Sequence, residues 1–315
     1  MSFSLTSNAT SASASYHLAK NQAELRKSLT RLASGKRIIA PYDDPGTLSV
    51  SMKLGASINR LNGADNNLQN AISFLEVQDG ILDSVGKVVT RMNELKGLSS
   101  QDPMKSNQDV ESYNNEFRDL QMQLYQMSQQ TFNGVSLFAN FTTKNGATEV
   151  KFRGTASEDN TISIFTSPDG SDGPAISIHK SSLLSALTIA SNAASIMNGQ
   201  YFKDAGTNNK VAFAAPSLSD TFALDTVSAG VFEKALENIA YLRAQAGGSM
   251  SRVTFASESI GIQKTNMKAA LSRMVDVDVA EESARMAKYS VLTQASAAMV
   301  AQANSLSEVS LILLR

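Results

Sequence analysis

Chemistry would have to start from the side chains that move protons, attack carbonyls or hold metals, and this chain has few in useful arrangements. Its two histidines, His17 and His179, sit far apart in segments of different type. No His-Glu-x-x-His pair exists to hold a peptidase zinc. There is no cysteine, which excludes disulfides, thiolate metal sites and thiol nucleophiles. Asp43-Asp44 and the alternate pair Asp276/Asp278 could bind a cation. A turn and a helix N-terminus, which favours acidic side chains, explain both pairs more simply. The run "DGSDG" at 169–173 lacks the spacing and the closing Glu of a calcium loop and reads as a turn. Neither a Walker A loop nor a G-x-G-x-x-G after a strand occurs. Asn8-Ala9-Thr10 and Asn140-Phe141-Thr142 fit the N-glycosylation sequon, a pattern short enough to recur by chance. No nucleophile–base constellation is present, so the reading is of a non-enzyme. No catalytic, cofactor-binding or metal residues are assigned, and no cofactor is expected.

Charge narrows the partners. With 28 basic and 29 acidic residues the formal net charge is −1. A nucleic-acid binder would show a basic excess or stripe. A charge near zero also removes the self-repulsion that keeps many proteins monomeric. The charged fraction is 18%, below the roughly 25% of ordinary globular domains, which fits a surface that becomes interface. No run of 18 apolar residues exists to span a membrane. The start, "MSFSLTSNATSASASYHLAKNQAEL", has no apolar core behind a basic region. Export would therefore proceed without a cleaved signal peptide, and a cysteine-free chain can travel unfolded with nothing to reduce first.

Since side-chain chemistry is scarce, periodicity carries the argument. Leu18, Leu25 and Leu32 recur every seven residues in a first helical segment, which Pro41 and Pro45 interrupt. Leu61, Leu68, Leu75, Leu82 and Val89 form the longest heptad row, accompanied three residues later by Ala64, Ala71, Val85 and Met92, with Gln78 the one break. Two apolar positions per heptad over that length predict a coiled-coil helix from about Thr47 to Leu98. A third helix follows, with Val110, Tyr113, Phe117, Leu120, Leu124 and Met127 stepping by threes and fours until the Asn133-Gly134 turn signal. The middle differs: "EVKFRGT", "TISIF" and "AISIH" are short β-favouring runs separated by turn clusters. From Ser181 to about Asp225 small residues dominate and the pattern is weak, as in a short variable surface insert. Helical periodicity returns with Phe232, Leu236, Ile239 and Leu242, then "AGG", then Val253, Ile260, Met267 and Met274. Leu292, Met299, Leu306 and Leu313 mark the last helix. The expected fold is mainly α with a small β region. It is a hairpin-shaped subunit of long antiparallel coiled-coil helices, with N- and C-terminal helices paired and a short central β or irregular insert.

The terminal helices raise a problem of energetics. A lone pair of thin amphipathic helices buries little area at ~25 cal/mol per Å², against ~1–2 kcal/mol of backbone entropy per ordered residue. The apolar tail "SLILLR" makes this acute. Such helices need neighbours from other subunits, so the tail is expected to be buried by assembly.

The residues at both ends resemble bacterial flagellin. "LAKNQAELRKSLTRLASGKRI" looks like the family's N-terminal helix, "DDPGTLSVSMKL" stands where flagellins carry D-D-A-A-G-L-A-I-S, and "RLNGADNNLQNAISFLEVQDGIL", "VTRMNEL" and "TFNG" continue the pattern. "RAQAGG", "AALSRMVDVDVAEESARMAK" and "ASAAMVAQANS" look like the C-terminal half. The resemblance covers roughly residues 5–140 and 230–315. It departs where Pro45 replaces an alanine and where the tail lacks the usual Pro-Gln. It implies an extracellular structural subunit, exported unfolded through the flagellar type III apparatus and polymerised into the swimming filament. Residues 1–40 and 281–315 would form the inner tube. Residues 46–180 and 226–280 would form a coiled-coil shell with its small β region, and 181–225 a surface insert. Implied partners are further copies of the chain, an export chaperone, and cap and junction proteins. Leu18, Leu25, Leu32, Leu292, Met299, Leu306 and Leu313 would serve subunit assembly. Arg91, Glu94 and Leu95 match the R-x-x-E-L face that a vertebrate Toll-like receptor reads in many flagellins, with Glu116 on the facing helix.

Three other readings make different demands. A hook–filament junction protein shares the terminal helices and the export route, but both terminal motif sets here favour flagellin. An enzyme-bearing flagellin or secreted hydrolase lacks its catalytic residues. A free-standing coiled-coil protein would keep its termini folded in the monomer.

Overall fold

The computed structural model describes residues 9–100, 105–139, 149–151, 161–168, 170–190, 200–202 and 210–313. Among them are helices α1 (Ala9–Ser34), α2 (Pro45–Ser100), α3 (Asn107–Ser128), α4 (Leu183–Ala186), α5 (Ala229–Val275) and α6 (Val279–Leu313). The short strands lie between α3 and α5: β1 (Thr131–Phe132), β2 (Val135–Ser136), β3 (Glu149–Lys151), β4 (Thr161–Phe165), β5 (Ala175–His179), β6 (Thr188–Ala190), β7 (Gln200–Phe202) and β8 (Lys210–Ala212). The mainly helical class expected from the heptads is the observed one. The chain forms two compact units, residues 1–59 with 264–315, and residues 60–263.

The 60–263 unit is organised by the long heptad row. Leu61, Leu68, Leu75, Leu82 and Val89 of α2 are fully buried, and Ala64, Ala71, Val85 and Met92 lie beside them in the core. Across from them α5 buries Phe232, Ile239, Leu242, Val253 and Ile260, and α3 buries Phe117 and Leu124. α5 runs antiparallel to α2. Arg243 Nε donates to Asp79 and its Nη1 to Asp83, both at 2.8 Å, and Ser257 Oγ donates to Asp65 at 3.3 Å. The "AGG" run does not break α5, although each interior glycine costs ~1 kcal/mol relative to Ala. Ala246, Ser249 and Val253 around it are buried, so packing of that face outweighs propensity.

Buried amides fasten the central region to the helices. Gln78, the break in the apolar row, is fully buried, and its Nε2 donates to the Leu137 carbonyl at 2.7 Å just after the first hairpin. Asn238 Nδ2 donates to the Ala186 carbonyl at the end of α4 at 3.1 Å. Gln121 Nε2 donates to the Phe222 carbonyl at 3.0 Å, and its Oε1 accepts from Phe222 N at 3.3 Å. Each amide donates to a backbone carbonyl of the central region and so ties it to a long helix. Part of the stretch expected as a surface insert is therefore interior: Leu183, Leu187, Ile189, Phe213 and Leu224 are buried. Its weak periodicity hid this, because irregular backbone held by side-chain amides needs no repeating apolar face.

The strands form four antiparallel two-stranded ladders, β1–β2, β3–β7, β4–β5 and β6–β8. β1 and β2 meet through Asn133 (φ 49°) and Gly134 (φ 79°), the two positive φ values of a type I′ hairpin turn. β4 and β5 pair from Thr161 with His179 to Phe165 with Ala175. Phe74 of α2 meets Phe132 of β1 edge-to-face at 6.1 Å, which seats the first hairpin on the long helix.

In the other unit α1 and α6 pair antiparallel. Ser11 Oγ donates to Asn304 Oδ1 at 2.6 Å and Asn21 Nδ2 to Ser296 Oγ at 2.8 Å, and Arg31 faces Glu282 at 3.8 Å. α1 ends at Gly35, whose φ of 68° is the left-handed stop that glycine takes without strain. The chain then pairs briefly with the link between α5 and α6. Arg37 N donates to the Val275 carbonyl at 2.7 Å, and Val277 N to the Gly35 carbonyl at 3.1 Å.

Candidate assembly surface

The carboxylate pairs hold helix ends in place. Asp44 caps α2: its Oδ1 accepts from Thr47 N at 3.0 Å and its Oδ2 from Thr47 Oγ1 at 2.6 Å. Pro45 occupies the first helical position, where a missing N–H costs nothing, so the departure from the family's alanine is locally well accommodated. Asp278 caps α6 by accepting from Ala280 N at 2.9 Å and Glu281 N at 3.2 Å. Asp276 accepts from Ser272 Oγ. Asp43 meets Lys27 Nζ at 2.7 Å and accepts from the backbone N–H of Ile39 and Ala40 at 3.3 Å. Among the described residues no group of three or more metal-binding side chains converges.

The Lys27 hydrogen bond, helped by those backbone donors and opposed by burial, lowers the Asp43 carboxyl to about 2 from its ordinary 3.8. A depressed folded-state value means that the stabilisation is complete above 3.8 and is lost as pH falls toward about 2. Asp43→Asn removes that dependence. The thermal midpoints of parent and variant should therefore differ at pH 5 and converge near pH 2, and parallel curves across the range would refute the assignment.

The surface of the α1–α6 pair is the reverse of a stable two-helix core. Within these two helices, among the described side chains, those buried are Ser28, Glu282 and Ser296, none of them apolar. Leu18, Leu25 and Leu32 are half-buried. Leu292 is 37% exposed and Met299 65%, as is Val291. Tyr16 and Leu29 are exposed on α1. Leu306 and Leu313 lie within α6, but their side chains are outside the described residues, as is the rest of the apolar tail. The structure thus places Leu292 and Met299 one heptad apart on an open face. Tyr16, Leu29 and Val291 extend the exposed apolar set. Sequence reasoning did not single out these three as site residues, because they fall off the seven-residue rows.

The other residue group lies on α2 and α3. Arg91 Nε donates to Glu116 Oε1 at 2.8 Å, and its Nη1 to Glu94 Oε2 at 3.2 Å. The Glu116 bond is the larger cause, ahead of Glu94, of the raised Arg91 value. All three side chains are about half exposed and face solvent together. Leu95 is fully buried and in this fold offers no surface to a partner. Its place in the motif belongs to the core seam.

The exposed apolar helices at both chain ends and the helical core with ancillary β ladders define a helical structural protein. The bacterial flagellin N-terminal helical region matches residues 5–143, and the bacterial flagellin C-terminal helical region matches residues 229–314. The chain is similar to the flagellin of Listeria innocua, 29% identical with 91% of both chains covered. It is also similar to a flagellar filament core protein of Treponema maltophilum, 27% identical with 95% of both covered. A solved structure titled "putative flagellar hook-associated protein from Vibrio parahaemolyticus" shares the fold, with a TM-score of 0.52 at 14% identity over 74% of this chain and all of that one. This chain belongs to the bacterial flagellin family and is a structural subunit of the flagellar filament. A filament subunit works outside the cell and has copies of itself as partners. No described helix is long and apolar enough to cross a membrane.

Proposed function

We propose that the chain is exported unfolded through the flagellar type III apparatus, and that its terminal helices settle only when neighbouring copies cover them. The carrying observation is the α1–α6 pair, which among its described side chains buries two serines and a glutamate while Leu292 and Met299 stay open. Folding coupled to association defers the ordering cost until partner surface repays it. In this reading residues 1–40 and 281–315 build the inner tube, 46–180 and 226–280 the surrounding shell, and 181–225 complete the middle. Leu18, Leu25, Leu32, Leu292, Met299, Leu306 and Leu313 carry the subunit contacts. An export chaperone, cap and junction proteins are the transient partners, and no catalytic activity is involved. The hook–filament junction reading is supported by fold likeness alone, whereas the flagellin matches span both ends of the chain.

Limited proteolysis read by mass spectrometry tests this. Roughly the first 40 and last 35 residues should be cut from monomer and protected in polymer. Termini that resist cleavage in the monomer refute assembly-coupled folding.

The half-exposed Arg91, Glu94 and Glu116 cluster supports recognition of the monomer by a vertebrate Toll-like receptor. Reporter cells should respond to monomer, and Arg91→Ala should weaken the response at least about tenfold, as for a charged interface anchor. Silence at every monomer dose rejects the proposal.

A further inference from the structure

In the 1–59/264–315 unit, the ends of α1 and α5, the segment after α1 and the start of α6 border a half-open cavity of about 430 Å³. Among the described residues four arginines and six carboxylates line it, with Ile38 and Val277 as the apolar members, so their formal charge sums to −2. Most of these groups are satisfied within the subunit: Asp43 by Lys27, Asp44 and Asp278 as helix caps, and Arg285 by Glu281 at 2.6 Å. Glu282 is different. It is only 4% exposed. Its Oε2 lies 3.8 Å from both Arg31 and Arg285, beyond hydrogen-bond reach, and its Oε1 has no hydrogen-bond partner. Arg31 Nε, on the same wall, has none either. A buried carboxylate held by long ion pairs and no hydrogen bond is unfavourable, and it persists here beside open space.

The complementary group lies on α1. That helix carries Lys20, Arg26, Lys27 and Arg31 against Glu24, a net +3. Lys27 and Arg31 point to carboxylates of their own subunit. Arg26 is exposed. Two residues from buried Ser28, it stands on the opposite side of α1, beside exposed Leu29. A guanidinium there is aimed outward and can meet a carboxylate with two parallel N–H bonds.

We propose that the Glu282 cavity of one copy receives the Arg26 guanidinium from α1 of a second copy. The contact joins two different patches, so it propagates instead of closing into a dimer. It rests on the assembly reading above and adds a defined polar anchor to the apolar faces.

A side-chain-resolution structure of the unmodified filament tests it. Arg26 of one copy should lie within about 4 Å of the Glu282 carboxylate of another. In polymerisation assays, Arg26→Gln and Glu282→Gln should each raise the critical concentration about tenfold or more, and the double variant should be no worse than the poorer single variant, as for two ends of one contact. Arg26→Gln decides where Glu282→Gln misfolds, because Arg26 is exposed in the monomer. A cavity holding only solvent, or Arg26→Gln polymerising like the parent, overturns the proposal. Filaments with protected termini but Arg26 elsewhere would sink this contact alone. Protease-resistant monomer termini would sink the coupled-folding reading instead.

Discussion

Replacing Phe117 with alanine should destabilise the 60–263 unit by ~3–5 kcal/mol, the usual range for a buried phenylalanine. Phe117 is fully buried in α3 and meets Phe222 edge-to-face at 5.4 Å and Phe232 at 6.0 Å. Phe213 closes the cluster, 5.8 Å from Phe222 and 5.1 Å from Phe232. The cluster joins α3, α5 and the irregular stretch between them, so an alanine leaves a void bordered by three segments that cannot all collapse onto it. For a unit of this size, each kcal/mol moves the midpoint by about 2–4 °C, so calorimetry should show a drop of roughly 6–20 °C. Phe117→Leu should recover most of the loss. A drop under about 2 °C, about 1 kcal/mol or less, would fall short of even the burial of the ring and refute the packing of this cluster.

The sequence made the helical rows legible because a seven-residue repeat can be satisfied only by burying one face. Each member of the Leu61–Val89 row proved fully buried. Gln78 was visible as an exception, and its reason needed the Leu137 carbonyl brought next to it by the hairpin. Asn133-Gly134 was legible because few residue pairs tolerate two positive φ values. Phe213 and Phe222 were not legible. Phe213 is buried and Phe222 half-buried beside it; that stretch is held by Gln121 and by Asn114, which accepts from Leu224 N at 2.8 Å, and no local pattern records such long-range bonds. Leu95 misled for a related reason: a sequence motif lists consecutive residues, while a helix turns every third or fourth one inward. The Glu282 cavity draws on segments from both ends of the chain, so neither end shows it alone.

The open face of α6 supplies the sharpest separation between folding and assembly. Leu292→Asp with Met299→Asp should leave the global unfolding of the monomer within about 0.5 kcal/mol of the parent, as surface changes generally do. The same pair should abolish polymerisation at any concentration at which the parent forms filaments. Leu292 and Met299 are 37% and 65% exposed, so in the monomer the new carboxylates remain hydrated. In the polymer they would be driven into an apolar contact without partners, which costs several kcal/mol per charge. The penalty recurs in each subunit added, so growth fails even if a nucleus forms. Leu292→Ala with Met299→Ala, which removes area without adding charge, should weaken polymerisation without abolishing it. Sedimentation of the assembled fraction against total protein reads all of these outcomes. Filaments from the aspartate pair at the parent's concentration would mean that this face of α6 stays wet in the polymer. The apolar stripe would then need a cover other than a neighbouring subunit.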